Sequence, residues 1–278
     1  MPELPEVETM ARDLAPLLLG RQISASWLAL DVIAGPSRAG LLALSGQRVR
    51  SVGRRAKTVL LELDDQTVIG LAPRMTGHFR LCPADAPHAR HEHFGLRFSD
   101  GGELRWVDPR RFGRLGYWQR QDGHLLDSEG ADPFAQIGPE PLVLGPGTLA
   151  RHLERRSGHK RSSLKAFLLD QSNLAGIGNI YADETLFAAR LAPARAVNTV
   201  LPLEWDVLAT QIVRLLSAGI EARGARVENF DSPGGDARMQ DQLAVYGRAG
   251  LACTRCGHIL QLSRLAGRST VACSRCQL

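Results

Sequence analysis

ADPFAQIGPEPLVLGPG, residues 131–147, is where the chain changes character: it holds four prolines and three glycines and has no apolar period, so it reads as a linker. Upstream of it, short segments such as Thr58 to Leu63, Thr67 to Leu71 and Glu103 to Val107 are broken by Asp-Asp, Ser-Asp-Gly-Gly and proline clusters. That spacing, from Ile23 to about Trp118, predicts an antiparallel β-sandwich. Downstream the period becomes helical, at Leu149 to Glu154, Leu164 to Leu169, Ile180 to Arg190 and Pro202 to Ala222. In the last of these Leu203, Val207, Ile212, Leu215 and Leu216 are expected to face inward. A helix also leads the chain, Pro5 to Leu19, with Val7, Met10, Ala11, Leu14, Leu17 and Leu18 at helical spacing, Glu6 and Glu8 in the first turn, and a stop at Gly20. The expected class is α+β: a β-sandwich with a leading helix over 1–130, a linker over 131–148, a helical domain over 149–250 and a cysteine-rich end over 251–278.

A chain of 278 residues, 44% hydrophobic, is long enough for two cores. Its apolar runs, such as Trp27 to Leu30 and Ala166 to Leu169, fall far short of the ~20 residues that span a bilayer, so no membrane partner is expected. The start, Met1-Pro2-Glu3-Leu4-Pro5-Glu6, is acidic and proline-rich, unlike a secretory signal, and points to the cytosol or nucleoid. The net charge of +5 is modest, but its distribution is uneven. Residues 151 to 165 carry Arg151, Arg155, Arg156, Lys160, Arg161 and Lys165 against Glu154 alone, and residues 248 to 278 carry five arginines and no acid. Two such stretches fit a polyanion footprint assembled from several elements, with Lys165 among the nucleic-acid contacts.

Cys253-x-x-Cys256 and Cys273-x-x-Cys276 are separated by sixteen residues, and Cys82 stands apart. Two such knuckles on a short hairpin place four thiolates around one zinc ion. A hairpin this small has almost no core, so the metal supplies its folding free energy; four cysteines leave no open coordination position, and the zinc is structural.

Met1 precedes a small residue, the context in which an initiator methionine is removed, and removal exposes the secondary amine of Pro2. An α-amino group titrates near ~7.7–8, well below a lysine at ~10.4, so part of it is unprotonated and nucleophilic at neutral pH. Glu3 beside it could move protons. Taken by itself, Pro-Glu-Leu-Pro-Glu is also an ordinary helix-initiating segment. Gly176-Ile177-Gly178-Asn179 lies between two helical patterns, where glycines allow a tight turn and helix-start amides can bind phosphate. His88-x-x-His91-x-His93 opens an apparent strand and is read as no metal site.

Several of these stretches together resemble one family. MPELPEVET at the start, DPRRFG at Asp108 to Gly113, LDQSNLAGIGNIYADE at Leu169 to Glu184, YGRAG at Tyr246 to Gly250, and GRST followed by CSRCQ look like bacterial formamidopyrimidine-DNA glycosylases, in the family's order. The related endonuclease VIII branch usually has glycine where this chain has Leu4. The resemblance implies a monomeric enzyme of base excision repair acting on damaged double-stranded DNA, with a helix-two-turn-helix in its helical domain. It implies that Pro2 attacks C1′ and forms an iminium that drives β- and δ-elimination, that Glu3 is the general acid, that Glu6 supports it, and that Lys57 serves at the lesion phosphate and base. It further implies that Met75, Arg110 and Phe112 fill the stack left by a flipped base, and that Asn179 and Arg268 meet the DNA backbone.

The chain departs from the family at Ala72 and Pro73, where histidine and leucine are usual, and at Arg223 to Phe230, where two glycines, two hydroxyl residues and Arg-Asp are usual. The second departure leaves open the preference among 8-oxoguanine, formamidopyrimidines and oxidised pyrimidines. Arg223 to Gly235, Gly-rich and polar, reads as a mobile loop. Two alternatives remain at this point: an endonuclease VIII-like enzyme for oxidised pyrimidines, and a catalytically silent zinc protein that binds damaged DNA.

Overall fold

The structure is a computed structural model and describes residues 1–225 and 237–278. Most of the loop expected at Arg223 to Phe230 therefore lies outside the described residues. The described residues form two compact units, one of Met1–Pro2 and Glu6–Ala135, the other of Glu3–Pro5, Gln136–Ala225 and Ala237–Leu278.

In the first unit α1 (Leu4–Leu18) runs to Gly20, which takes a positive φ. Then follow β1 (Ile23–Leu28), the short α2 (Arg38–Leu42), β2 (Val49–Arg55), β3 (Thr58–Leu63), β4 (Thr67–Ala72), β5 (His78–Pro83), β6 (Glu92–Phe98), β7 (Gly102–Val107), β8 (Arg114–Gln121) and β9 (His124–Leu126). These strands make two antiparallel sheets, in the orders β1-β6-β7-β5 and β2-β3-β4-β8-β9. Alternate residues of β3, Val59, Leu61 and Leu63, are buried, as a two-residue period demands of a strand with one face inward. They join Phe94, Leu96, Leu104 and Trp106 of the other sheet, and Val7, Met10, Leu14 and Leu18 of α1, in one core. The expected sandwich and leading helix are present, although Leu17 lies on the outer face of α1. Arg105 sits fully inside this unit, where all of its N–H groups are used: it is bonded to Glu103, to Glu92, and to the carbonyls of Ala86 and Pro87.

The second unit contains α3 (Pro141–Ser157), α4 (Leu164–Leu169), α5 (Asn179–Ala188), α6 (Pro202–Glu221) and the hairpin β10 (Gln261–Leu265) and β11 (Arg268–Ala272). Helix begins at Pro141, inside the stretch expected to be a linker over 131–148. Pro141 stands where a helix start needs no N–H, and the break expected there shrinks to a kink at Gly145 (φ 68°). The inward stripe of α6 also differs from the expected one. Trp205, Leu208, Ala209, Ile212, Leu215 and Leu216 are buried, whereas Leu203 and Val207 are exposed because they lie on the neighbouring face of the helical period. Among the described residues no helix is long and apolar enough to cross a membrane.

Candidate active site and metal centre

Pro2 is buried, and Glu3 follows it at the start of the chain. The Glu3 carboxylate accepts hydrogen bonds from the backbone N–H of Gly178 at 2.7 Å, Ile180 at 2.8 Å and Tyr181 at 3.3 Å. The amides at the start of α5, read above as a phosphate site, are thus occupied by the chain's own carboxylate. Both glycines of Gly176-Ile177-Gly178 serve this contact. A Cβ on Gly178 would lie 2.4 Å from Glu3 Cδ, and one on Gly176, which has φ 86°, would lie 2.6 Å from Leu4 Cβ. The Leu4 N–H donates to the Gly176 carbonyl at 3.0 Å and completes the attachment. Charge-assisted bonds from three amides fix the carboxylate's position tightly.

Asn179 opens α5, and its Nδ2 lies 3.4 Å from Ser269 Oγ, so it is brought beside Arg268, which is exposed at the first position of β11. Lys165 is placed otherwise. It was expected to contact DNA, but it is wholly buried, donating to Asp183 Oδ1 at 2.7 Å, to the Ser269 carbonyl at 2.7 Å and to Thr270 Oγ1 at 2.8 Å. Asp183 in turn accepts from the Val271 amide at 3.2 Å, so this pair seats β11 against α4 and α5. Burial pushes the Lys165 ammonium down from its ordinary range, and Asp183 and Glu3 oppose that shift. Burial likewise pushes the Asp183 carboxyl up to about 6, opposed by Lys165. Glu184, raised by burial, accepts the amides of Ala244, Val245 and Tyr246.

The four cysteines of the hairpin converge, all four sulfurs lying within 4.8 Å of one another. Burial and the neighbouring thiols push Cys276 up to about 12, so four thiolates can share this space only around a cation. Sulfur donors in this number and spacing suit zinc, and Cys253, Cys256, Cys273 and Cys276 would hold one such ion. The surrounding cluster is small, adding Phe187, Val245, Leu260 and Val271 to the buried Cys253 and Cys273, so the ion's contribution is structural.

In the first unit Met75, Arg110 and Phe112 meet at an exposed tip. Met75 and Phe112 are 39% and 46% exposed, Arg110 Cζ lies 4.8 Å from the Phe112 ring centre, and Arg110 Nη1 lies 3.5 Å from Met75 Sδ. The residue that joins the two loops is Asp108, whose own sequence neighbourhood gives no sign of its link to Thr76. Buried Asp108 accepts from Thr76 Oγ1 with one oxygen and from the Gly113 amide, at 2.7 Å, with the other. Arg110 N–H donates back to Thr76 Oγ1 at 3.3 Å. His93, from the histidine-rich stretch, is buried with Nε2 3.1 Å from the Asp108 carbonyl, and burial lowers its pKa. Lys57 is half-buried in the turn between β2 and β3, and Glu6 is fully buried.

An α+β chain with an amide-held carboxylate directly after Pro2, an exposed tip of Met75, Arg110 and Phe112 and a four-cysteine hairpin defines a class, and comparison with known proteins agrees. Residues 1–115 match the formamidopyrimidine-DNA glycosylase N-terminal domain, residues 137–231 the formamidopyrimidine-DNA glycosylase helix-two-turn-helix domain, and residues 250–278 a zinc finger found in these enzymes and isoleucyl-tRNA synthetase. The chain is 38% identical to the formamidopyrimidine-DNA glycosylase of Acidithiobacillus ferrooxidans over the full length of both. It is 40% identical to that of Symbiobacterium thermophilum, over all of this chain and 89% of that one. Its fold is similar to the Lactococcus lactis enzyme in complex with DNA containing an abasic site, with a TM-score of 0.88 and 30% identity over 99% of each chain. The chain belongs to the formamidopyrimidine-DNA glycosylase family.

Proposed function

We propose that this chain excises oxidised purines from duplex DNA and cleaves the resulting abasic site, with the amine of Pro2 as nucleophile. The observation that carries this reading is the Glu3 carboxylate, fixed by three backbone amides immediately after Pro2. The related Lactococcus lactis enzyme has been solved with abasic-site DNA and with DNA carrying a formamidopyrimidine lesion, which supports damaged duplex DNA as the substrate here.

Once Met1 is removed, the Pro2 nitrogen lone pair attacks C1′ and the bond from C1′ to the base breaks. The departing base takes up a proton from water, the attacking Pro2 nitrogen passes its own proton to the Glu3 carboxylate, Glu3 delivers it to the ring oxygen as the sugar opens, and the positive charge rests on an iminium between Pro2 and C1′. Loss of a proton from C2′ expels the 3′ phosphate, and a second elimination expels the 5′ phosphate. Lys57 serves the lesion phosphate and base, and Glu6 supports Glu3. Met75 and Phe112 fill the gap left by the everted nucleotide while Arg110 meets the orphaned partner base. Asn179 and Arg268 hold the backbone. The chain works as a monomer where the chromosome is.

The test is a panel of duplexes with 8-oxoguanine, a ring-opened purine, thymine glycol or an abasic site. Excision of the purine lesions with cleavage of the abasic site is expected. Preference for thymine glycol would instead support the pyrimidine-specific reading, and binding without any cleavage the silent one.

A further inference from the structure

Each of the two exposed apolar side chains at the wedge tip is preceded by an arginine in the left-handed backbone region: Arg74, φ 53°, before Met75, and Arg111, φ 58°, before Phe112. Arginine is an unusual occupant of this region, which glycine, asparagine and aspartate adopt more readily. A residue with a β-carbon persists there when its surroundings impose the turn or when its side chain is used.

For Arg111 the surroundings impose it, since its N–H donates to the Asp108 carbonyl at 3.2 Å and Asp108 anchors the loop on both sides. Arg74 is different. Its turn is closed by the Gly77 N–H on the Pro73 carbonyl at 2.9 Å, a bond that glycine at position 74 would leave intact. Its guanidinium is exposed and, among the described residues, has no hydrogen bond, ion pair or ring contact. Neighbouring cations are committed: Arg110 lies on Phe112 and Met75, and Arg114 Nη1 donates to the carbonyls of Phe112 and Gly113. Asp108, the acid of this tip, is used by Thr76 and Gly113. Among the described residues Arg74 and Arg111 are the cations of the tip whose guanidinium has no such partner, and of the two Arg74 is the one next to Met75, in a turn that does not require it, with no acid among the described residues paired to it.

We propose that Arg74 binds a backbone phosphate of the duplex beside the base step that Met75 enters, so that an apolar wedge and its electrostatic anchor are consecutive residues. A planar guanidinium offers two parallel donors to phosphate oxygens, and such a contact fixes position without reading sequence. This inference rests on the DNA-repair reading above.

The experiment measures equilibrium binding of a duplex containing a tetrahydrofuran abasic analogue across a salt series, for the native chain, Arg74→Gly and Arg74→Lys. The native chain is expected to give a linear fall of log affinity with log salt. Arg74→Gly is expected to lower the magnitude of that slope by ~0.9, the amount associated with one neutralised phosphate, and Arg74→Lys to restore it. Since glycine suits the turn, the melting temperature of Arg74→Gly should not fall, which separates a lost contact from a damaged loop. Replacing single phosphates by neutral methylphosphonates should find one position beside the abasic site where the native chain loses affinity and Arg74→Gly loses no more. An unchanged slope in Arg74→Gly, or equal sensitivity of both proteins at every phosphate, overturns the assignment of Arg74. Failure of the native chain to bind the duplex overturns the DNA-repair reading itself.

Discussion

The Gly178 amide lies 2.7 Å from a Glu3 carboxylate oxygen, and a Cβ at Gly178 would stand 2.4 Å from the carbon of that same carboxyl group. Position 178 therefore admits only glycine as long as Glu3 keeps its place. Gly178→Ala is expected to displace the acid and slow base excision by ~10²–10⁴-fold, the range that general acid catalysis supplies. Cleavage of an abasic site, whose base has already left, should suffer less. Single-turnover rates on both substrates check this, and equal losses on the two would mean that the alanine disrupts the second unit rather than the acid.

Asp108 joins the loops that carry Met75 and Phe112 through Thr76 Oγ1 and the Gly113 amide. Asp108→Ala leaves both donors without their partner, at a cost of about 1–3 kcal/mol each where buried. Affinity for a lesion duplex should drop roughly tenfold with an unchanged salt slope, because Asp108 meets no phosphate. Anisotropy titrations at several salt concentrations decide it, and a changed slope would show that Asp108 also positions a cation on the DNA.

The buried Lys165 and Asp183 form a pair whose halves differ in what their loss costs. Asp183→Leu leaves the Lys165 ammonium and the Val271 amide without their acceptor and should destabilise the second unit by about 3–5 kcal/mol, whereas Lys165→Met with Asp183→Leu should recover most of that. The pair also has a pH signature. Burial raises Asp183 from 3.8 to about 6, so between these values the folded chain holds a proton that the unfolded chain has released. Its contribution is fully present below about 4 and is lost as pH rises through about 6. Glu184, also raised by burial and close enough to push Asp183 further up, remains in both proteins. Relative to the double variant, the native chain should lose melting temperature from pH 4 to pH 6.5; parallel curves would contradict the assignment.

The zinc hairpin should fail as a unit. Cys273→Ser or chelation should remove the metal and release Ser269 and Thr270 from Lys165, and with them the placement of Arg268, while the β-sandwich keeps its circular-dichroism signal. Metal analysis of freshly purified protein is expected to find one zinc per chain; finding none would contradict this.

Elements with a strong local period were legible in the sequence. Thr58–Leu63 and Leu164–Leu169 fall where alternation and helical spacing put them, and the four cysteines converge as their spacing requires. What stayed hidden depends on contacts distant in sequence. Gly176 and Gly178 read as turn residues with amides free for phosphate, since nothing local says that Glu3, more than 170 residues earlier, occupies them. Lys165 looked like one more cation of a basic stretch because its partner, Asp183, stands on another helix. Asp108 had a faint signal, as an aspartate opening the turn of DPRRFG, but its link to Thr76 is tertiary. Leu203 and Val207 are hydrophobic enough to suggest an inward face, but the period set by Trp205, Leu208 and Ile212 leaves them outside.

Only a nucleophilic amine on C1′ creates an iminium, and only an iminium is trapped by borohydride as a stable protein-DNA adduct. Reduction during reaction with a damaged duplex, followed by proteolysis and mass spectrometry, therefore tests the role of Pro2 most directly. The adduct is expected on the N-terminal peptide beginning at Pro2. A variant that retains Met1, whose Pro2 nitrogen is an amide without a usable lone pair, should bind DNA but give neither adduct nor excision. An adduct that survives this block, or that maps to Lys57 or another lysine, would contradict the assignment of Pro2 as the nucleophile.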